Sequence, residues 1–416
     1  MKVRPTRKQL DFLSWEVGMF FHFGIRTFNH GHEDWDGREM AAETFDPKML
    51  DCRQWMRAAK LIGAKYAIMT AKHHDGFALW PTKTSPYSVA ASAWKNGKGD
   101  VVREFTDACR AEGLKVGLYY SPAQWGSYAV AFQNEKEYDD YFINQISELL
   151  SNYGKIDYLW FDGCGSEGHV YDKHRIIKAI RSLQPDILLF GMWDPDTGWA
   201  GNESGYASLP NLYERDRVVL GENKHIFLPL ECDCRLRENW FYELDENSIK
   251  SVDELIGMYE MSVGRGSNLL LNVGPDDNGL ISRPDMRRLT QFRAELDARY
   301  GCPLAFEQPE KLEDGSYILS YSRETRRLIG SHVDLPLVRS VVLSEDLTEG
   351  QSVKRFRLYA QTPTLAINND NFYCLYVGET IGHKTICRFP AIRTSRFRLV
   401  IEESEGEAVI SDMKAY

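Results

Sequence analysis

The sequence predicts a (β/α)₈-like barrel followed by a small β-sandwich, and three observations carry that reading. Over roughly the first 300 residues, short apolar β runs alternate with amphipathic helical stretches. Four of those β runs carry or end in polar clusters, and the C-terminal strand ends are where a parallel barrel keeps its reactive groups. Beyond about residue 310 the helical spacing stops, and short β runs separated by charged or Gly-containing turns take over.

The first β run, 19–23, holds His22. Residues 50–62 place Trp55, Ala58, Ala59 and Ile62 at helical spacing. A strand at 66–70 leads into Lys72-His73-His74-Asp75-Gly76, a helix at 101–111 is closed by Gly113, and a strand at 116–120 leads into Ser121-Pro122. A long helix over 136–153 stops at Gly154, and the run beginning at Ile156 ends in Leu159-Trp160-Phe161-Asp162-Gly163. A helix at 176–183 is stopped by Pro185 before a strand at 187–190. Helices at 252–263 and 286–300 flank a strand at 269–273 and close the series. No Gly-x-Gly-x-x-Gly follows any strand, which disfavours an open doubly wound sheet. The sandwich strands are expected at 317–321, 328–329, 341–343, 356–360, 372–377 and 397–401. The chain thus divides into a barrel at 1–305 and a sandwich at 306–416, packed directly for want of any low-complexity linker.

Composition narrows the partners. Lys and Arg total 50 against 60 Asp and Glu, a net charge of −10, which argues against nucleic acid or an anionic membrane as the main partner. The eight cysteines form no Cys-x-x-Cys pair and show no regular spacing, so they read as reduced thiols rather than a zinc knuckle or disulfide framework. The basic N-terminus has no apolar stretch after it and no run reaches the length of a membrane span, so a cytoplasmic protein is expected. No cofactor motif is present. The ten tryptophans all lie within the first 240 residues, often beside Asp, Gly, His or Asn, a placement that suits stacking on sugar rings.

Asp162 is the sharpest candidate for chemistry. A carboxylate ending a hydrophobic strand is costly to hold there and is exposed to whatever sits above the sheet, although Asp-Gly is also a common turn pair. Acetal hydrolysis needs a second carboxyl to protonate the leaving oxygen, and Glu167, Glu203, Glu222 and Glu231 all follow the Asp162 strand. Glu203 sits in the glycine-flanked loop Trp199-Ala-Gly-Asn-Glu-Ser-Gly205, while Glu231 ends the apolar run 227–230 and is a true rival. A metallohydrolase site of His22, His73, His74, Asp75 and Asp162 is disfavoured, because adjacent histidines on an extended segment point opposite ways. A non-catalytic glycan-binding barrel would require loss of one carboxylate, and neither candidate is missing.

Met19-Phe-Phe-His-Phe-Gly24, Lys72-His-His-Asp-Gly-Phe77, Gly117-Leu-Tyr-Tyr-Ser121, Trp160-Phe-Asp-Gly163 and Gly266-Ser-Asn-Leu-Leu-Leu-Asn-Val-Gly-Pro275 together resemble glycoside hydrolase family 29, the retaining α-L-fucosidases. The resemblance runs over roughly residues 10 to 300 in the expected order, and it too implies a (β/α)₈-like barrel followed by a β-sandwich. It implies Asp162 as nucleophile and, through Gly201-Asn202-Glu203, a likeness to the subfamily active on α-1,3- and α-1,4-linked fucose in branched, Lewis-type glycans, with Glu203 as acid/base. Gly198 departs from that pattern, in which an arginine precedes the loop tryptophan. By the same resemblance His22, His73, His74, Asp34, Trp35, Tyr119, Trp160 and Trp240 line a fucose pocket, and the partner is a fucosylated oligosaccharide or glycoconjugate. Imidazoles can donate to or accept from sugar hydroxyls. Trp160 shares strand parity with Asp162, and Tyr119 shares it with Gly117 and Ser121, which favours Tyr119 over Tyr120.

Overall fold

The computed structural model describes residues 2–31, 38–123, 135–322, 335–361 and 371–416. Asp34, Trp35, the side chain of Glu167 and the strand expected at 328–329 lie outside the described residues.

Eight parallel strands form the first sheet: β1 (Val17–Phe21), β2 (Tyr66–Lys72), β3 (Lys115–Tyr120), β4 (Tyr158–Phe161), β5 (Leu188–Phe190), β6 (Gly198–Trp199), β9 (Leu230–Arg235) and β10 (Asn268–Asn272), in the order β5-β4-β3-β2-β1-β10-β9-β6. A parallel bridge between Phe190 and Thr197 joins the two ends of that order, so the sheet is a nearly closed barrel. Helix α1 (Arg7–Trp15) lies under its floor, and α2 (Cys52–Leu61), α3 (Val101–Ala111), α4 (Glu135–Asn152), α5 (Lys173–Leu183), α6 (Val252–Ser262) and α7 (Arg283–Tyr300) are the crossovers and the outer layer. Helix starts are set locally: Asp51, Asp100 and Asp172 accept the backbone N–H of Gln54, Arg103 and Arg175, and Ser251 forms a capping box with Glu254.

Two stretches depart from the sequence expectation. No helix follows β5; a tight turn leads straight to the two-residue β6, too short for any periodicity to announce it. The segment after β6 holds an antiparallel hairpin, β7 (Glu214–Val219) and β8 (Glu222–Phe227), whose residues are largely exposed and polar.

The barrel interior is built in layers by alternate residues. Phe12 from α1 packs against Tyr66 and Tyr158 with ring centroids 6.2 and 5.5 Å apart. Above them lie Phe20, Ile68, Tyr119, Trp160 and Phe190, all buried. Gly18 makes room for this filling, because a Cβ there would come within 2.3 Å of the Tyr66 ring.

The C-terminal antiparallel domain packs a five-stranded sheet, ordered β11-β12-β17-β14-β15, against a three-stranded one, β16-β13-β18. Its strands are β11 (Glu310–Lys311), β12 (Tyr317–Ser320), β13 (Leu337–Glu345), β14 (Val353–Gln361), β15 (Phe372–Gly378), β16 (Thr385–Arg393), β17 (Arg396–Ser404) and β18 (Ile410–Ala415). Val341, Leu343, Phe356, Leu358, Phe397 and Leu399 fill the space between the sheets. Strands β16 and β18 were not anticipated, since Arg388, Pro390 and Arg393 interrupt one and Asp412 and Lys414 the other. No helix among the described residues is long and apolar enough to cross a membrane.

Candidate active site

A cavity of about 570 Å³ opens at the C-terminal ends of the barrel strands, within the ~300–1,000 Å³ typical of small-molecule sites. Its floor and walls include Phe20, His22, His73, His74, Tyr119, Trp160, Asp162, Phe190, Trp199, Glu203, Asp233 and Trp240. The site residues expected from sequence and lying within the described chain therefore border one cavity. Tyr120 turns outward instead and donates its hydroxyl to Gln145 Oε1 at 2.7 Å.

The carboxylate of Asp162 is held at two points just past β4. Its Oδ1 accepts the backbone N–H of Cys164 at 2.9 Å, so the Asp-Gly pair forms a turn while Oδ2 is left facing the cavity. Tyr119 donates its hydroxyl to Oδ2 at 2.7 Å, and His74 Nε2 stands 3.4 Å from the same oxygen. Burial would raise this carboxyl, but the His74 imidazolium and the hydrogen bonds from Cys164 and Tyr119 outweigh it and hold the group below the ordinary carboxylate value. His74 is the counterpart: burial works against its charge, yet Asp162 pulls it up to about 9.

The other two imidazoles are neutral. Burial, opposed by the Asn272 hydrogen bond, pushes His22 down to about 3, and His73 also lies well below 6.5, burial acting together with the neighbouring His74 and His22. His22 Nδ1 lies 2.8 Å from Asn272 Oδ1, whose side-chain nitrogen in turn donates to the Trp240 carbonyl at 2.7 Å. That arrangement puts the His22 proton on Nδ1 and leaves Nε2 as an acceptor. His73 Nδ1 is buried without a hydrogen-bond partner among the described residues. The rings of His73 and Tyr119 stack at 5.5 Å, Tyr119 and Trp160 at 5.5 Å, and Trp160 and Phe190 at 4.1 Å, giving one wall of near-parallel planes.

The two adjacent histidines do not point opposite ways, contrary to the expectation for an extended segment. Strand β2 ends at Lys72 after a register irregularity, and residues 73–76 form a turn closed by Gly76 N–H on the His73 carbonyl at 3.1 Å. The turn brings the two rings to 4.3 Å, and donor atoms of His73, His74 and Asp162 lie within 4.8 Å of one another. A metal there would have to displace the His74 proton, since Nδ1 of that ring already meets Ser121 Oγ at 2.6 Å and Nε2 faces Asp162. The donor set fits a hydrogen-bonded ion pair better than a metal centre.

Glu203 rides on a loop shaped by its flanking residues. Gly201 and Gly205 take left-handed backbone angles, φ +88° and +75°, and Asn202 closes the turn by accepting Ser204 N–H at 3.0 Å and donating to the Tyr206 carbonyl at 3.0 Å. The Glu203 carboxylate is half exposed at the cavity edge, with Oε2 3.6 Å from Arg235. Gly198 has no room for a side chain: a Cβ would press to 2.8 Å from the buried Leu228. The guanidinium beside Glu203 comes instead from β9, where Arg235 lies 5.2 Å from the centre of the Trp240 ring.

Glu231, the rival carboxyl, is fully buried beneath the cavity and is not among its lining residues. It accepts from Tyr66 Oη at 2.5 Å, Trp160 Nε1 at 2.8 Å and Tyr158 Oη at 3.3 Å, and burial, only partly opposed by those bonds, pushes it up to about 7. Glu222 is exposed at the start of β8, also away from the cavity lining. Asp233 and Arg235 were missed from sequence. Their signal was present as Glu231-Cys-Asp-Cys-Arg235, three charged residues of one strand parity in an otherwise buried run.

The family model for alpha-L-fucosidase matches residues 39–298. The chain belongs to glycoside hydrolase family 29, the α-L-fucosidases. It is 32% identical to the putative alpha-L-fucosidase 1 of Oryza sativa subsp. japonica, over 98% of this chain and 84% of that one. Among solved structures, a putative alpha-L-fucosidase from Bacteroides ovatus superposes with a TM-score of 0.88 at 33% identity, over 99% of this chain and 74% of that one. A glycoside hydrolase 29 family member from an unknown rumen bacterium gives 0.87 at 32% identity, over 100% and 77%.

Proposed function

We propose that this α-L-fucosidase removes terminal α-1,3- or α-1,4-linked L-fucose from branched glycans by double displacement with retention. The observation that carries the reading is Asp162, ionised at the cavity wall between the Tyr119 hydroxyl and the His74 imidazolium. An ionised carboxylate there can attack the anomeric carbon, and the neutral His22 and His73 can exchange hydrogen bonds with the sugar hydroxyls. Glu203, at the edge where the leaving sugar would depart, protonates the glycosidic oxygen and then draws a proton from water to release fucose from the fucosyl-enzyme. The Gly201-Asn202-Glu203 loop supports the linkage assignment, because a second sugar ring beside it would lend binding energy to orient the reacting bond. Proton NMR of the first-formed fucose tests the mechanism: the α anomer is expected, and initial β-fucose would overturn it.

A further inference from the structure

The segment carrying Glu203 is tied to β9 at both of its ends. Gly198 and Trp199 pair with Leu230 and Glu231 as β6, Ala200 N–H donates to the Glu231 carbonyl at 3.0 Å, and Ser204 bridges to Cys234. Between Ala200 and Ser204 the chain leaves the strand, and Glu203 is at the crest. A side-chain hydrogen bond joins this segment to the cavity wall below: Trp199 Nε1 donates to Asp233 Oδ1 at 2.7 Å. The contrast between the two partners is informative. Trp199 is 46% exposed, whereas Asp233 is 4% exposed and borders the cavity.

A carboxyl buried in a cavity wall is costly unless it is hydrogen-bonded, and an apolar residue could have filled the same space. We propose that Asp233 is a positioning residue: its carboxyl, by accepting the Trp199 indole N–H, holds the 198–205 segment on β9 and so fixes Glu203 over the reacting bond. The inference rests on Glu203 as acid/base. Two further observations agree with it. The Glu203–Arg235 contact, at 3.6 Å with both groups partly exposed, is too loose to fix the glutamate by itself. Burial, together with the neighbouring Glu203 and Glu231, pushes Asp233 up to about 8 against the opposing Trp199 bond, so near neutral pH the tie is uncharged and adds no repulsion beneath Glu203.

The test compares Asp233→Ala, Asp233→Asn, Trp199→Phe and the double variant Asp233→Ala/Trp199→Phe on a fucosylated oligosaccharide, with Glu203→Ala as reference. Removing either end of the tie should lower kcat by about ten- to a hundredfold with a smaller change in KM, the scale of a misplacement near 1 Å. Asp233→Asn keeps an acceptor oxygen and should stay within about threefold of wild type, and the double variant should be no slower than the slower single one. Trp199→Phe removes the donor and leaves the buried carboxyl intact, so it decides the matter if Asp233→Ala fails to fold. Wild-type kcat in Trp199→Phe, or Asp233→Asn as slow as Asp233→Ala, overturns the inference. Azide acceleration of an activated fucoside in Glu203→Ala separates the two layers. Its absence there sinks the acid/base reading, whereas its presence alongside an undiminished Trp199→Phe sinks only the tie.

Discussion

His74 Nε2 stands 3.4 Å from Asp162 Oδ2 while the opposite ring nitrogen meets Ser121 Oγ at 2.6 Å, so the charged imidazole is fixed in direction as well as in place. The pair sets the pH range over which Asp162 is ionised beside a charged His74. Asp162 is lowered from 3.8, so its share of stability is present above that value and is lost as pH falls through its folded-state value. His74 is raised from 6.5 to about 9, so its share is full below 6.5 and fades as pH rises to about 9. In His74→Gln the acid limb of kcat/KM on an activated fucoside should move up, because the opposite charge is gone. An unmoved acid limb would mean that Tyr119 and the Cys164 N–H suffice.

Replacing Asp162 by Ala or Asn should lower turnover by several orders of magnitude, since no route through water replaces a covalent nucleophile. The barrel should remain folded, because Asp162 lies past the end of β4 and the strand keeps its parallel pairings to β3 and β5. Circular dichroism and a melting curve beside the rate measurement check both halves. Substantial hydrolysis by a folded Asp162→Ala protein would remove Asp162 from the mechanism.

Glu231 should show a stability effect of the opposite pH sign. Its carboxyl is raised from 4.5 to about 7, so the folded protein prefers it protonated. That contribution is full below pH 4.5 and is lost as pH rises through about 7. Glu231→Gln stays neutral and should flatten that part of the Tm-against-pH curve. Glu231→Ala should destabilise by about 1–3 kcal/mol for each donor left unpaired among Trp160, Tyr66 and Tyr158. A Tm equal to wild type in Glu231→Ala would contradict the buried network.

Much of this was legible in the chain, and the exceptions share a physical cause. The strands ending at Lys72, Tyr120 and Phe161 announce themselves by apolar runs that stop at polar residues, and Trp160 and Tyr119 follow from parity. Strand β6 leaves no periodic signal because it has two residues, and its place is set by pairing with β9. The inward turn of both His73 and His74 depends on a local irregularity at the end of β2, which parity reasoning cannot see. Asp233 was hidden because its role is a tertiary bond to a tryptophan 34 residues earlier. The alternation Glu231, Asp233, Arg235 was visible, but its meaning required knowing that β9 faces the cavity.

The donor atoms of His73, His74 and Asp162 lie close enough to raise the question of a metal, and the hydrogen bonding answers it differently from a metallohydrolase. Protein treated with EDTA and then freed of it should release fucose at the untreated rate. A loss of rate restored by a divalent cation would reinstate the metal reading.

The role of Glu203 is tested by what an acid catalyst does rather than by where it sits. Glu203→Ala should slow hydrolysis of natural glycans severely, yet azide should accelerate its turnover of an activated fucoside, whose leaving group needs little protonation. The small anion attacks the fucosyl-enzyme without the missing general base. Product configuration then reports which carboxylate was removed. If Asp162 attacks as proposed, it inverts the α-fucoside to a β-linked intermediate and azide inverts that centre again, so Glu203→Ala should yield α-L-fucosyl azide. Direct attack by azide on the α-fucoside would give the β anomer and is expected only when the Asp162 carboxylate is absent. Glu231→Ala should show no azide rescue, since Glu231 lies beneath the cavity floor bonded to Tyr66, Tyr158 and Trp160. Recovery of the β azide from Glu203→Ala would overturn the assigned roles, and rescue confined to Glu231→Ala would transfer the acid/base role to that residue.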